Sequence, residues 1–412
     1  MRCTNMDQVT IGKTIASLRK EKGLTQNALA DILGVSNKTV SKWESGLGYP
    51  EITQFPSLAR IFDVSVDYIM NSDDDNGIML AGNILTDNVK IIDSYPKETM
   101  LSNISSTSVA VGGCVPNTAI DIAKIDDTIR ISACGLVGDD AGGRYVVEQM
   151  KKHGINTSAV KVTADAPTSY SDVMSVASTG IRTFFHDRGA NRVFAPSDID
   201  VDSLNCRIFH VGYILLLDRF DEEDPEYGTA MAKLLAKVQA KGIKTSIDVV
   251  SDTSEKFRQK VVPALKYCDY AIMNETEGGG VSGLEPRNAD GSINLENIRK
   301  TLEMFMEYGV RDVAVIHCPE GGFALDKNGN FAAVPSLKLP SGYIKGSVGA
   351  GDAFCAACLY CLYKGIDIKT MLELASCAAA CNLSESDSIS GMKPIAEIMK
   401  MNETMERGKA NW

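Results

Sequence analysis

Apolar positions in the first part of the chain recur at helical spacing. Ile11, Ile15 and Leu18 share one face of a helix that Gly23 closes. Thr25 caps a second helix, TQNALADIL, with Ala28, Leu29 and Ile32 turned inward. Gly34-Val35 makes a tight turn, and Ser36 caps a short polar helix, NKTVSKWES, which Gly46, Gly48 and Pro50 stop. A helix around Phe55 to Phe62 and the segment VSVDYIM complete this run. From Met79 the texture changes. IRISACGLVG, RIFHVGYILLL, IKTSIDVV, YAIMN and DVAVIH predict strands buried on both faces. KLLAKVQAKG, VEQMKKHG and IRKTLEMFMEYG predict crossover helices, each closed by glycine. This alternation predicts an α/β fold, a mostly parallel sheet with helices on both sides.

Where the two textures meet lies NSDDDNG, with three consecutive acids and no apolar anchor. It predicts an all-α domain over residues 1–70, an acidic linker over 71–78, an α/β domain over 79–400 and a tail over 401–412. The length of 412 residues accommodates such a division, and 44% hydrophobic with 23% charged residues is globular composition. The net charge of −11 excludes a chain that coats nucleic acid through bulk charge. Residues 1–70, however, carry eight Lys/Arg and seven Asp/Glu, a net +1, which leaves −12 for the remainder. No apolar run is long enough to span a bilayer, and MRCTNMDQVT has no secretory apolar core. A cytoplasmic protein is expected, its eleven scattered cysteines reduced.

Two helices joined by a glycine turn, the second one polar, form the helix-turn-helix pattern. Asn37, Lys38, Ser41 and Lys42 lie on or near the outer face of the second helix and suit base edges and phosphates. Val40 and Trp43 would pack it down. Gln26 opens the first helix of the pair, where an amide side chain and unpaired backbone N–H groups can meet a phosphate. The string LRKEKGLTQNALADILGVSNKTVSKWESG resembles the Cro/cI-type, or XRE-type, helix-turn-helix family. The resemblance implies five helices, contact with double-stranded DNA by Gln26, Asn37, Lys38, Ser41 and Lys42, and a homodimer reading paired half-sites.

In the larger part, GSVGAGDAF precedes an apolar stretch of helical length, AFCAACLYCLYKG. Gly349, Ala350 and Gly351 thus sit at a helix start, where unpaired N–H groups attract anions, and Asp352 sits in the first turn. An aspartate there is stabilised as the carboxylate and can take a proton from an alcohol. An anion cradle beside a base is what phosphoryl transfer to a hydroxyl requires. Four companions reinforce this reading. In VGGCVPNTA, Gly112 and Gly113 permit close backbone approach and Asn117 offers a donor and an acceptor to a polyol. CGLVGDDAGG is a strand running into a glycine-acid turn. In NETE, Asn274 and Glu277 can hold a hydrated Mg²⁺ at the end of a strand. Asp87, in NILTDN, follows the first strand of the domain.

GLVGDDAGG and GAGDAF, with GGCVPN and the Asn274–Glu277 pair, resemble the signatures of the ribokinase-like, or PfkB, carbohydrate kinases over about residues 80–392. The resemblance implies a three-layer α/β/α sheet with a small β-sheet lid, its strands in Val89 to Val109 and Thr168 to Phe185. It implies an ATP-dependent sugar kinase with Asp352 as general base and the backbone of Gly349, Ala350 and Gly351 as anion hole. Asp87, Gly112, Gly113, Asn117 and Asn191 (in RGAN) would grip the sugar. Asn274 and Glu277 would organise Mg²⁺ through water and the ATP phosphates. Gly321, Gly322 and Asn382 would border the nucleotide.

Relatives often carry Asp-Thr before GAGD, where the aspartate helps bind a monovalent cation. Lys345-Gly346-Ser347-Val348 stands here instead, which removes the usual reason to expect potassium activation. Cys355, Cys358, Cys361, Cys377 and Cys381 are expected to be core thiols rather than a metal cluster. His186 and His317 are expected to satisfy local hydrogen bonds, Gly278-Gly279-Gly280 to be locally flexible, and Asp139-Asp140 to be solvated turn acids. Two other functions remain open: a non-catalytic sugar- or nucleotide-sensing transcription factor, and a nucleoside kinase of the same fold. Ribose, fructose and keto-deoxy acids all suit the gripping residues.

Overall fold

The structure is a computed structural model that describes residues 8–62, 64, 66–70, 77–250, 257–410 and 412. The amino-terminal unit comprises α1 (Gln8–Glu21), α2 (Gln26–Leu33), α3 (Asn37–Glu44), α4 (Phe55–Phe62) and α5 (Val66–Met70). The helices close around Ile11, Ile15, Leu29, Val40, Trp43 and Phe62. Thr25 and Ser36 are the caps, their hydroxyls accepting from the N–H groups of Ala28 and Thr39. The buried stripe of α2 is rotated by one residue from the expected one. Leu29 and Ala30 are buried with Leu33 packed against them, whereas Ile32 is 58% exposed. Most of the expected linker, residues 71–76, lies outside the described residues, and Ile78 already opens the first strand.

The second unit begins with β1 (Ile78–Gly82), β2 (Leu85–Ile92), β3 (Ile104–Gly112), α6 (Cys114–Ile125), β4 (Ile131–Gly138), α7 (Ala141–Lys152) and β5 (Asn156–Thr163). It continues through β6 (Ser169–Val176), β7 (Arg182–Asp187), α8 (Gly189–Val193) and β8 (Ile208–Ile214). A two-stranded ribbon, β9 (Glu223–Asp224) and β10 (Gly228–Thr229), leads to α9 (Ala230–Ala240), β11 (Lys244–Val249) and α10 (Phe257–Leu265). Then follow β12 (Tyr270–Asn274), α11 (Glu275–Ser282), α12 (Leu295–Tyr308), β13 (Val313–Cys318), β14 (Gly321–Asp326) and β15 (Phe331–Pro335). The last elements are α13 (Ala350–Lys364), α14 (Ile368–Leu383) and α15 (Ile395–Thr404).

Nine strands form one sheet in the order β15-β14-β13-β12-β11-β8-β1-β4-β5, parallel except for the antiparallel β13-β14-β15 edge. Alternate residues of each strand face opposite layers. Ile78 and Leu80 pack with α6, α13 and α14, while Ala81 packs in the core that holds α9, α10 and α12. The result is a three-layer α/β/α sandwich. A separate four-stranded sheet, β3-β2-β6-β7, is the lid. Asp87 follows β1, as expected, and belongs to lid strand β2; the lid strands begin and end a few residues away from the expected segments. The end of the chain is packed, not a free tail. Helix α15 runs to Thr404, Arg407 donates to the Pro335 carbonyl at 2.7 Å, and Trp412 meets Phe323 edge-on at 5.0 Å.

Candidate active site

Helix α13 starts where Gly349 takes φ +80°, a left-handed turn against Ser388. A side chain at 349 would fall 2.6 Å from the Ser388 Cβ, so both conformation and space require glycine. The amides of Ala350, Gly351 and Asp352 are the first of the helix and have no partner within it. Asp352 is buried. Its Oδ2 accepts from Asn117 Nδ2 at 2.8 Å, and its Oδ1 accepts from the Tyr213 hydroxyl at 2.7 Å. Burial pushes its pKa up to about 6; the bond from Asn117 opposes this, and Asp248 adds to it.

Asn117, expected to grip substrate, also bonds protein groups on both sides of its amide. Its Oδ1 accepts from Ser388 Oγ at 2.8 Å while its Nδ2 serves Asp352. It therefore orients the carboxylate, and the α13 start, α6 and the Ser388 loop form one hydrogen-bonded frame. Asn382 belongs to the same frame: its Nδ2 donates to the Ser388 carbonyl at 2.7 Å. Behind Asp352, Asp248 Oδ1 accepts from the Tyr213 backbone N–H at 3.0 Å. His210 lies 3.6 Å from Asp248 and 4.0 Å from Cys355 Sγ, with its other ring nitrogen 3.0 Å from Ser246 Oγ.

Asp87 is 8% exposed and shares an electrostatic neighbourhood with Asp352. Burial, then the Asp352 charge, pushes its pKa up to about 7, with Arg182 of the lid and a bond from Ser171 opposing. Gly112 is held against it: an added Cβ would sit 2.7 Å from the Asp87 carboxylate. Gly113, at φ +88°, passes the Asn83 carbonyl. The Asn191 carbonyl oxygen accepts from the Ile84 N–H at 3.2 Å. Asn191 Nδ2 and Asn83 Oδ1 are buried without a partner among the described residues. Buried orphans of this kind suit a polyol ligand.

A cavity of about 220 Å³ connects Asp352, Gly349 and Gly351 with Asn274, Glu277 and His317. Asn274 and Glu277 hold each other in a capping box: the Asn274 N–H and Nδ2 donate to the two carboxylate oxygens, at 2.8 and 2.7 Å. A carboxylate and an amide lining the cavity at the end of a strand are hard oxygen donors of the kind that suit Mg²⁺ held through water. The glycines after Glu277 are not a flexible stretch. They run inside α11, with Gly278 against Ile316, Gly279 against Pro286 and Gly280 against Phe257, where larger residues would crowd. Gly321 and Gly322 pack beneath Trp412 and Phe354 and do not line this cavity. A larger groove of about 790 Å³ opens at the other end of the strands, beside Tyr270, Asp312 and Lys327, away from the carboxyl ends where such sheets bind ligands.

Other sequence expectations divide. Cys355, Cys358, Cys361, Cys377 and Cys381 are all core thiols, and Cys355 also faces His210. His186 meets Ser171 Oγ at 3.1 Å. His317 stacks on Phe354 with no hydrogen bond to its ring among the described residues, and burial pushes its pKa down to about 4. Asp140 is no solvated acid: it caps α7 through Gly143 and bonds Thr168. Tyr213, Asp248, Ser388 and Arg182 were not singled out in the sequence. For Tyr213 a signal existed, a polar tip at the carboxyl end of an apolar parallel strand.

In the helical unit, α3 buries Val40 and Trp43 and exposes Asn37, Lys38, Ser41 and Lys42. Gln26 is half-buried, its amide nitrogen 2.8 Å from Glu44, which is also clamped by Arg19 at 2.6 and 2.9 Å. Glu44 thereby ties the ends of α1, α2 and α3 together.

The model of the pfkB carbohydrate kinase family matches residues 78–395, and a helix-turn-helix model matches residues 15–69. The chain therefore belongs to the pfkB family of carbohydrate kinases and carries an amino-terminal helix-turn-helix domain. The 5-dehydro-2-deoxygluconokinase of Bacillus licheniformis is 24% identical over 349 residues, 81% of this chain and 98% of that protein. Ribokinase of Schizosaccharomyces pombe is 24% identical over 78% of this chain and 96% of its own length. Among solved structures, Arabidopsis thaliana ribokinase complexed with ribose and ATP superimposes with a TM-score of 0.65 at 20% identity, covering 80% of this chain and 99% of that one. The nucleoside kinase of Methanocaldococcus jannaschii gives 0.59 at 18% identity, over 79% of this chain and 97% of that one. Among the described residues, no helix is long and apolar enough to cross a membrane.

Proposed function

We propose that this carbohydrate kinase transfers the terminal phosphoryl group of ATP to a sugar hydroxyl, with Asp352 as general base. The supporting observation is the buried Asp352 at the start of α13, oriented by Asn117 and open to the cavity that reaches Asn274 and Glu277. Asp352 takes the proton from the acceptor hydroxyl. The amides of Gly349, Ala350 and Gly351 stabilise the charge on the transferring group. Asp87, Gly112, Gly113 and the orphaned amide of Asn191 bind the sugar, and Asn117 holds the base in line. Asn274 and Glu277 would hold Mg²⁺ through water, and the ion would supply neutralisation of the phosphate charge. Lys345, four positions before Gly349, pairs with Glu385 at 3.2 Å, and no monovalent-cation requirement is expected. The test is ADP formation from Mg·ATP against ribose, fructose, keto-deoxy acids such as 5-dehydro-2-deoxygluconate, and nucleosides. Turnover absent across the whole panel would count against the reading.

A pH dependence follows from the base. Asp352 must be ionised to act, and its pKa is near 6. The value of kcat/KM is therefore expected to rise through about pH 6 and level off above pH 7. A profile flat down to pH 5 would show that another group accepts the proton.

We further propose that the helix-turn-helix domain places α3 in the major groove as part of a homodimer, through Asn37, Lys38, Ser41 and Lys42, with Gln26 near a phosphate. The domain makes the kinase a candidate sugar-responsive regulator of transcription. Lys42→Ala is expected to weaken operator binding and to reduce the slope of log K against log salt by about 1. An unchanged affinity and slope in a salt titration would remove Lys42 from the interface.

A further inference from the structure

The Tyr213 hydroxyl donates to the same carboxylate that the acceptor alcohol must reach, at 2.7 Å from Oδ1 of Asp352. The other oxygen, Oδ2, is committed to the Asn117–Ser388 frame. Two observations separate Tyr213 from an ordinary orienting residue. First, it stands in a strained segment: Tyr213 has φ +39° and Leu215 φ +84°, both bulky residues in the left-handed region. Such strain persists only where surroundings hold it, and it clusters at switches and ligand clamps. The restraints here are the Tyr213 N–H on Asp248 and the phenol on Asp352. Secondly, Tyr213 lines the same cavity as Asp352, Gly349, Asn274 and Glu277, so the phenol that bonds the base belongs to the wall of that cavity. The phenol stays protonated: burial, with the Asp352 and Asp248 charges, raises its pKa well above the ordinary value.

We infer that Tyr213 gates the base: its phenol covers Oδ1 of Asp352 against water and is displaced when an acceptor sugar binds. This rests on the assignment of Asp352 as general base. The gate answers a chemical problem. Whether the acceptor is water or a sugar, its oxygen bonds to the terminal phosphorus of ATP, the bond to the bridging oxygen of ADP breaks, and the acceptor proton passes to Asp352. A base able to activate the alcohol therefore also activates water. A sugar brings binding energy from Asp87, Asn191 and the lid to offset displacing the phenol; water brings none. Tyr213 thus determines specificity for a sugar acceptor without itself touching the transferred group.

The experiment measures ADP release from Mg·ATP without any sugar, in the full chain. Tyr213→Phe keeps the ring and removes the hydroxyl. Its sugar-free hydrolysis is expected to rise about tenfold or more over the parent, the effect of removing a hydrogen bond to a charged group. The rise is expected to disappear in Tyr213→Phe combined with Asp352→Asn. The KM for the sugar is expected to fall, since the phenol no longer competes. Tyr213→Leu repeats the measurement without the ring, and thermal stabilisation by a non-hydrolysable ATP analogue reports an intact nucleotide site in either variant. Sugar-free hydrolysis equal to or below the parent, in a variant that the analogue stabilises, overturns the gate. A tyrosine that merely supported the fold would lower hydrolysis and transfer together. Failure of the base assignment looks different: Asp352→Asn alone would then keep the parent's sugar turnover.

Discussion

Asp352→Asn is expected to abolish phosphoryl transfer while the protein still binds nucleotide and becomes no less stable. A general base contributes on the order of 10² to 10⁴ in rate, and an amide cannot accept the proton. The surrounding frame absorbs the change. Asn117 can turn its amide over and accept from the new side chain, because Ser388 Oγ, its other partner at 2.8 Å, accepts as readily as it donates. The Tyr213 phenol can still donate to the amide oxygen. Stability follows from the sign of the pKa shift. Asp352 ionises near 6 in the folded protein and near the ordinary aspartate value of 3.8 when unfolded. Its ionisation therefore costs nothing below pH 3.8, costs progressively more up to pH 6, and reaches ~3 kcal/mol above that. The neutral amide avoids this cost, so at pH 8 the variant's melting temperature should equal or exceed the parent's. Two measurements decide the matter: sugar-dependent ADP formation, expected to fall about 10³-fold, and thermal unfolding with and without an ATP analogue. Turnover near the parent's would refute the assignment. A sharply lower melting temperature at pH 8 would show that the carboxylate is chiefly structural.

Gly12→Ala is expected to have the largest effect on the other half of the chain. Helices α1 and α3 cross so closely that an added Cβ at residue 12 would lie 2.0 Å from the Trp43 carbonyl oxygen and 3.2 Å from the Glu44 carbonyl carbon. Both contacts are to backbone, which cannot swing aside as a flexible side chain would. Relief requires α1 to shift away from α3, loosening the packing of Ile11 and Ile15 and the Arg19–Glu44 clamp. Overpacking of this kind costs about 1–3 kcal/mol or more. In a domain so small, that lowers the melting temperature by roughly 5–20 °C. Displacement of α3 also removes Asn37, Lys38, Ser41 and Lys42 from a common face. Operator affinity should therefore fall at least about tenfold, while sugar kinase turnover stays within about twofold, since no catalytic group is touched. Both quantities can be read from one preparation by fluorescence anisotropy and a coupled ADP assay. Parental affinity for DNA would mean that the crossing tolerates the methyl group.

Both variants probe features of unequal legibility. The period of the apolar residues, the caps Thr25 and Ser36, and the alternation of buried strands with glycine-closed helices suffice for both units, because these signals are local. The glycines and Asp352 at the start of α13 are local for the same reason: a helix start and its first-turn acid are adjacent in the chain. The rest depends on remote partners. Asn117, read as a sugar-gripping amide, also bonds Asp352, 235 positions away, which no local pattern encodes. The glycines at 278–280 suggest a loose turn until α11 packs against Pro286 and Phe257. Trp412 is only the last residue of a polar tail until β14 provides a ring to meet it.

The sequence by itself determined that a small polar-faced helical unit precedes a wound sheet, and that the sheet ends in an anion-attracting helix start with one acid. Only the tertiary structure decided what that acid touches. Tyr213 and Asp248 stand at the ends of the neighbouring parallel strands β8 and β11, and Ser388 lies in the loop after α14; only the folded chain sets the Tyr213 phenol on the carboxylate, Asp248 behind it and Ser388 on its partner Asn117. The geometry that sets the acid's pKa near 6 and covers one of its oxygens belongs to no stretch of chain alone. Electrostatic coupling depends on distance in space, and no local pattern encodes it.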